Sequence, residues 1–142
     1  MRPTMFIGTF SHTLDDKGRL TLPAKFREEL AAGVVVTKGI DHCLFVYPRS
    51  VFEARAERMA QLPLAERNAQ RHFFANASDD IPDRQGRVHI PQHLREYAGL
   101  DGEAIITGLF DHLEIWHPER WAAFNAQEDP EALAERLRPY GI

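Results

Sequence analysis

With a single cysteine, Cys43, in 142 residues, the chain cannot form an intrachain disulfide. It also has no apolar run near the roughly 20 residues a bilayer crossing needs; stretches such as Gly33 to Val36 are short. The opening MRPTMFIGTF carries neither the apolar core nor the cleavage site of a secretory leader. Together these absences point to the cytoplasm, with no membrane role. Cys43, between His42 and Leu44, reads as a small buried hydrophobe. No glycine-rich phosphate loop, nucleophile elbow or metal-ligand cluster is present in the sequence. The chain is therefore read as a non-enzyme with no cofactor. An excess of positive charge is missing too: the net charge of −4 argues against a protein that simply coats nucleic acid. Hydrophobic content of 44% places the chain among globular rather than disordered proteins.

What is present is repetition. DDKGRLTLPAKFRE, Asp15 to Glu28, returns 68 residues later as DRQGRVHIPQHLRE, Asp83 to Glu96. Six of the fourteen positions are identical, and Leu20/Val88, Leu22/Ile90 and Phe26/Leu94 stay apolar. The correspondence continues, at an offset of 70, between VVVTKGIDHCLFVYP (34–48) and AIITGLFDHLEIWHP (104–118). The two added residues fall in the loop YAGLDGE, where insertion costs little. The chain thus divides into two related halves, residues 1–76 and 77–142. The first holds 11 Lys+Arg against 8 Asp+Glu and the second 6 against 13, a charge of +3 beside one of −7.

Each half predicts the same elements. FIGTFSHTL and RLTL read as strands joined through the turn DDKG, whose glycine supplies a positive φ. Alternation in RLTL sends Arg19 and Thr21 outward and Leu20 and Leu22 inward, and Arg87, His89, Val88 and Ile90 repeat the division. Pro23 and Pro91 end these strands and suit a helix start. AKFREELAA and QHLREYA are short helices with Phe26, Leu30, Leu94 and Ala98 inward, stopped near Gly33 and Gly99. Two further strands per half meet at a DH turn, and helices follow. Phe52, Ala56, Met59 and Ala60 sit at helical spacing in the first of them. Four strands and two or three helices make too little core for one half alone, so the halves are expected to interleave, the strands of one completing the sheet of the other.

Lys17 and Arg19 bracket the turn glycine Gly18, and Arg84 and Arg87 stand around Gly86. A two-stranded ribbon fits the major groove of B-DNA, where arginine meets guanine O6 and N7 while lysine neutralises phosphate. Asp15 and Asp83 can hold turn amides or the arginines in register. The same residues also suit an ordinary solvated hairpin. The copies are unequal: Lys17 becomes Gln85, although Arg84 in place of Asp16 restores a cation.

The paired D-x-x-G-R-x-x-[LI]-P motif, with a DH turn in each half and the opening FIGTFSHTLDDKGRLTLP, resembles the MraZ family over about residues 5–140. MraZ proteins are bacterial transcriptional regulators of two tandem AbrB-type (SpoVT-AbrB) domains. The resemblance implies an α+β fold, a pseudo-symmetric swapped-hairpin (AbrB-like) β-barrel from two tandem repeats, flanked by short helices. It implies a ring-shaped homo-oligomer on the nucleoid that binds double-stranded DNA. The target would be G-rich direct repeats in the promoter of its own operon, in the division and cell-wall gene cluster, with repression the usual outcome. Arg19 matches the family's DNA-binding arginine and Arg87 is its second-copy counterpart. DNA-binding is thus expected of Lys17, Arg19, Arg84 and Arg87, with Asp15, Gly18, Asp83 and Gly86 shaping the turns.

Two rival classes remain. An enzyme or metal site would draw on the seven histidines, but the strand-to-helix switch at Pro91 parts His89 from His93, and His42 and His112 sit in Asp-His turns. A ring that holds another protein, without DNA, is the other: AbrB-type domains occur in antitoxins that bind a toxin through a tail. Here the last stretch, QEDPEALAERLRPYGI, is short and acidic, and reads as a helix packed on the body or on a neighbour.

Overall fold

Eight strands and six α-helices follow one another along residues 5–142, the part of the chain described by this computed structural model. The first half supplies β1 (Thr9–Thr13), β2 (Arg19–Thr21), β3 (Val34–Lys38) and β4 (Leu44–Pro48). With them come α1 (Arg27–Leu30), α2 (Arg49–Ala60) and α3 (Arg67–Phe74). The second supplies β5 (Ser78–Asp80), β6 (Arg87–His89), β7 (Glu103–Gly108) and β8 (Leu113–Trp116), with α4 (Gln92–Ala98), α5 (Pro118–Ala126) and α6 (Pro130–Leu137).

Six strands make one antiparallel sheet in the order β1-β7-β8-β4-β3-β5, and β2 pairs with β6 as a ribbon. Exchanging each strand for its counterpart in the other half reverses that order without changing it. A pseudo-twofold axis therefore runs between β4 and β8 and through the centre of the ribbon, where Leu20 faces Val88. The halves interleave: β1 lies on β7, with Thr9 opposite Thr107, and β5 lies on β3, with Asp80 opposite Val34. The ribbon closes the open side. An isolated bridge between Leu14 and Leu20 joins it to β1, and the His89 amide donates to Asp80 Oδ2 at 2.8 Å. The fold is the pseudo-symmetric swapped-hairpin barrel of α+β class, with short helices at its flanks.

Burial explains the strand division. Leu20, Leu22, Val88 and Ile90 are fully buried while Arg19, Thr21, Arg87 and His89 point out, as alternation requires. Each such leucine or isoleucine withdrawn from water contributes roughly 1.5–3 kcal/mol before chain entropy is counted. Phe26 anchors the first helical segment, with Phe6 and Phe10 meeting its ring edge-on at 4.9 and 5.4 Å.

Three expectations change in detail. The DDKG turn forms, with Asp15 N–H donating to the Arg19 carbonyl at 2.9 Å, but its arms diverge after the single Leu14–Leu20 bridge. β2 takes its partner from the other half because Leu20 and Val88 cover each other there. AKFREELAA is not one helix but a 3-10 turn, Ala24–Phe26, followed by α1; Phe26, at φ −108° and ψ 0°, breaks the α geometry between them. In α2, Phe52, Ala56 and Met59 are only half-buried and Ala60 is exposed. Phe52 instead stacks on Phe73 of α3 at 5.1 Å, and Thr37 Oγ1 donates to the Phe73 carbonyl at 2.8 Å, which fastens α3 to the sheet. Gly99 caps α4 in the left-handed region at φ 69°. Cys43 is buried as expected, and burial pushes its thiol pKa far up. α6 has no buried residue, and only its Leu133 is half-covered.

Candidate nucleic-acid interface

The two turns are near copies. Asp15 Oδ1 accepts from the amides of Lys17 at 3.0 Å and Arg19 at 2.8 Å, and its Oδ2 accepts from Arg19 Nε at 2.8 Å. Asp83 Oδ1 accepts from the amides of Gln85 and Arg87, both at 2.9 Å, and its Oδ2 from Arg87 Nε at 2.8 Å. An aspartate four residues before an arginine thus caps the turn with one oxygen and orients the guanidinium with the other. The Arg19 amide leads the interactions that hold the Asp15 carboxyl below its ordinary pKa, and the Arg87 amide does the same for Asp83. Both carboxylates are therefore charged at neutral pH. Each tether uses Nε. The Nη groups of Arg19 have no hydrogen-bond partner among the described residues, and Arg87 Nη1 stands 4.0 Å from Asp15 Oδ2.

The ribbon brings the two turns together. Arg19 faces His89 and Thr21 faces Arg87 across it, so these four side chains share one outward surface. The amide of Leu22 donates to the Gly86 carbonyl and that of Ile90 to the Gly18 carbonyl, each at 2.8 Å, which ties either strand to the other half's turn. Lys17 and Arg84 are exposed at the turn tips, while Arg19 and Arg87 are about a third and a quarter exposed, at 33% and 27% of their side chains. All eight expected residues thus lie on one side of the barrel, in two sets related by the pseudo-twofold axis.

Gly18 and Gly86 have a second reason to be glycine beyond φ of +77° and +75°. A Cβ on Gly18 would lie 2.6 Å from Arg95 Nη1, and one on Gly86 would strike Arg27 Nε. Each helix arginine passes beneath the turn of the opposite half. Arg95 Nε is buried there without a hydrogen-bond partner, while Arg27 Nε reaches the Leu22 carbonyl at 3.4 Å. Sequence reading assigned these two residues no role. The signal was their identity in both copies of the repeat; their crossing between halves has no local trace.

The Asp-His turns are far less alike. Asp41 and His42 both take positive φ, 65° and 60°, and His42 stacks on Tyr97 at 5.0 Å. In the other turn Phe110 carries the positive φ, and Asp111 Oδ1 meets His112 Nδ1 at 2.9 Å while Oδ2 accepts from Arg55 at 2.6 Å. Burial works against the Asp111 charge, but the bonds from His112 and Arg55 win and hold its pKa below the ordinary value. These contacts are structural: they fasten a turn to a ring and to α2.

An outward ribbon shared by two tandem copies of one motif, each offering a carboxylate-oriented arginine, defines a tandem-repeat, swapped-hairpin α+β protein. The sequence matches the family described as "MraZ protein, putative antitoxin-like" twice, over residues 5–72 and 73–138. Proteins named transcriptional regulator MraZ are similar along most of their length. That of Saccharopolyspora erythraea is 48% identical over 140 residues, 95% of this chain and 98% of its own. Those of Roseiflexus sp. and Thermobifida fusca are 52% and 47% identical over 120 and 140 residues. They cover 82% and 95% of this chain and 84% and 98% of their own. The chain belongs to the MraZ family.

Proposed function

We propose that the chain is a DNA-binding transcriptional regulator that reads base edges with Arg19 and Arg87 and grips phosphates with Lys17 and Arg84. The observation that carries this is the β2–β6 ribbon, whose outward surface holds two arginines tethered through Nε. A two-stranded ribbon fits a major groove about 12 Å wide, and Nη donors that make no hydrogen bond among the described residues, though Arg87 Nη1 lies 4.0 Å from Asp15 Oδ2, suit guanine O6 and N7. The aspartate tethers fix the guanidinium planes beforehand, so less side-chain freedom is lost on contact.

Asp15, Asp16 and Asp83 temper the cations on any one ribbon, so a single copy binds weakly. A ring of identical subunits turns the second and later contacts into intramolecular ones. G-rich direct repeats spaced about one helical turn, about 34 Å, present successive sites to neighbouring subunits. The names of its relatives support a transcriptional regulator and no more; the rest of the reading, a nucleoid-associated repressor acting on the promoter of its own operon in the division and cell-wall gene cluster, rests on the family resemblance alone.

Fluorescence anisotropy with a duplex of that promoter, at several salt concentrations, tests the assignment. Arg19→Ala is expected to weaken binding roughly 5- to 150-fold, the value of one bidentate contact of about 1–3 kcal/mol. Binding by the parent should steepen as salt falls. Unchanged affinity in both Arg19→Ala and Arg87→Ala would remove the ribbon from the interface.

A further inference from the structure

An apolar cleft of about 480 Å³ opens between α2, α3 and the β3–β4 hairpin, on a surface the ribbon does not use. Ile40, Phe45, Tyr47, Met59, Leu62 and Phe73 line it, and its size is that of sites that take up bulky apolar groups. Its rim is cationic. Arg55 is held by Asp111 and Lys38 lies over the Tyr97 ring at 4.9 Å, but Arg58 has no carboxylate partner among the described residues.

α3 and α6 hold equivalent places, each the second helix after the strand pair of its half. α3 is docked, with Phe73 buried against the sheet, whereas α6 is not. Leu133, Leu137 and Tyr140, at i, i+4 and i+7, form one edge of α6 and the 3-10 turn that extends it, Arg138–Tyr140. Leu137 is 41% exposed and Tyr140 78%. The flanks are acidic, with Glu128, Asp129, Glu131 and Glu135 against Arg136 and Arg138, and Glu135 pairs with Arg138 at 2.9 Å. The chain therefore has an acidic amphipathic helix without a seat and a basic-rimmed apolar cleft without an occupant. No α6 residue lines its own cleft.

We infer that α6 of one copy seats its Leu133–Leu137–Tyr140 edge in the α2–α3 cleft of a second copy. The two surfaces differ, so the contact is head-to-tail, and such contacts close into a ring when the rotation from copy to copy divides the circle. The inference rests on the ring reading above and supplies its joint.

Two full-length variants test it: Leu133→Glu/Leu137→Glu, which spoils the helix edge, and Met59→Glu, which spoils the cleft. Both changes lie on half-buried or exposed positions, and circular dichroism checks that each variant stays folded. Native mass spectrometry should show a multi-subunit parent and each variant alone as a monomer. An equimolar mixture of the two should give a two-chain species, because one intact helix and one intact cleft remain. A second measurement mixes single-site Leu137→Cys and Met59→Cys proteins with a short bismaleimide; a cross-link between chains is expected, and Cys43 is too buried to compete. Parent-like masses in both variants, or linkage only within one chain of a Met59→Cys/Leu137→Cys protein, would overturn the joint while leaving the ring. A monomeric parent would remove both.

Discussion

Gly18→Ala tests the packing of each turn on the other half's arginine. At φ +77° an alanine costs about 1–2 kcal/mol relative to an unstrained site. Its Cβ would also lie 2.6 Å from Arg95 Nη1 and 3.3 Å from the Ile90 carbonyl. The guanidinium must move, and a side chain driven off its rotamer adds about 0.5–1.5 kcal/mol. Together these give a loss of about 1.5–3.5 kcal/mol. At about 3–4 °C per kcal/mol for a chain of this length, the melting midpoint should fall by about 5–14 °C. Urea and thermal denaturation at one fixed protein concentration would measure it, since any self-association would make the midpoint depend on concentration. Gly102→Ala is the control: a Cβ there meets nothing within 4 Å, so the change should stay within about 0.5 kcal/mol. Combining Gly18→Ala with Arg95→Ala removes the collision, and the pair should cost less than the sum of the singles. Equal effects at Gly18 and Gly102, or strict additivity with Arg95→Ala, would refute the argument.

Two more outcomes follow from the ribbon. Leu20→Ala leaves a hole on the pseudo-twofold axis opposite Val88 and should destabilise the fold by about 2–5 kcal/mol in denaturant titrations, with DNA affinity measured on the folded fraction little changed. Asp15 and Asp83 have depressed folded-state pKa values, so their contribution is present above the ordinary carboxylate pKa near 4 and is lost as pH falls through the lower folded-state values. Stability from these groups should be flat from pH 8 to about 5 and drop below about 4, and Asp15→Asn/Asp83→Asn should show a shallower acid drop; parallel curves would contradict the tether.

Much of this architecture is legible before any coordinates. The D-x-x-G-R repeat locates both turns, alternation in RLTL and RVHI gives the correct faces, and Pro91 with Gly99 brackets α4. What escapes is the choice of neighbour. Period-two alternation and a turn glycine are the same whether β2 folds back on β1 or crosses to β6, and only the mutual cover of Leu20 and Val88 decides. The roles of Arg27 and Arg95 escape for the same reason, because each lies against a glycine of the other half. Helix lengths are misjudged where a buried ring intervenes: Phe26, wedged between Phe6 and Phe10, shortens the first helical segment.

The shared ribbon has an evolutionary corollary. A half-length chain with this pattern would leave β2 and the edges of β1 and β3 uncovered, and a matching half-length chain would cover all three, so the natural single-repeat form is a symmetric pair. Joining two genes end to end preserves every one of those pairings while freeing the copies to drift apart. The lysine at position 17 and the glutamine at position 85 record that freedom. A pairing that symmetry would hold identical on both sides has become a molecule with a front and a back.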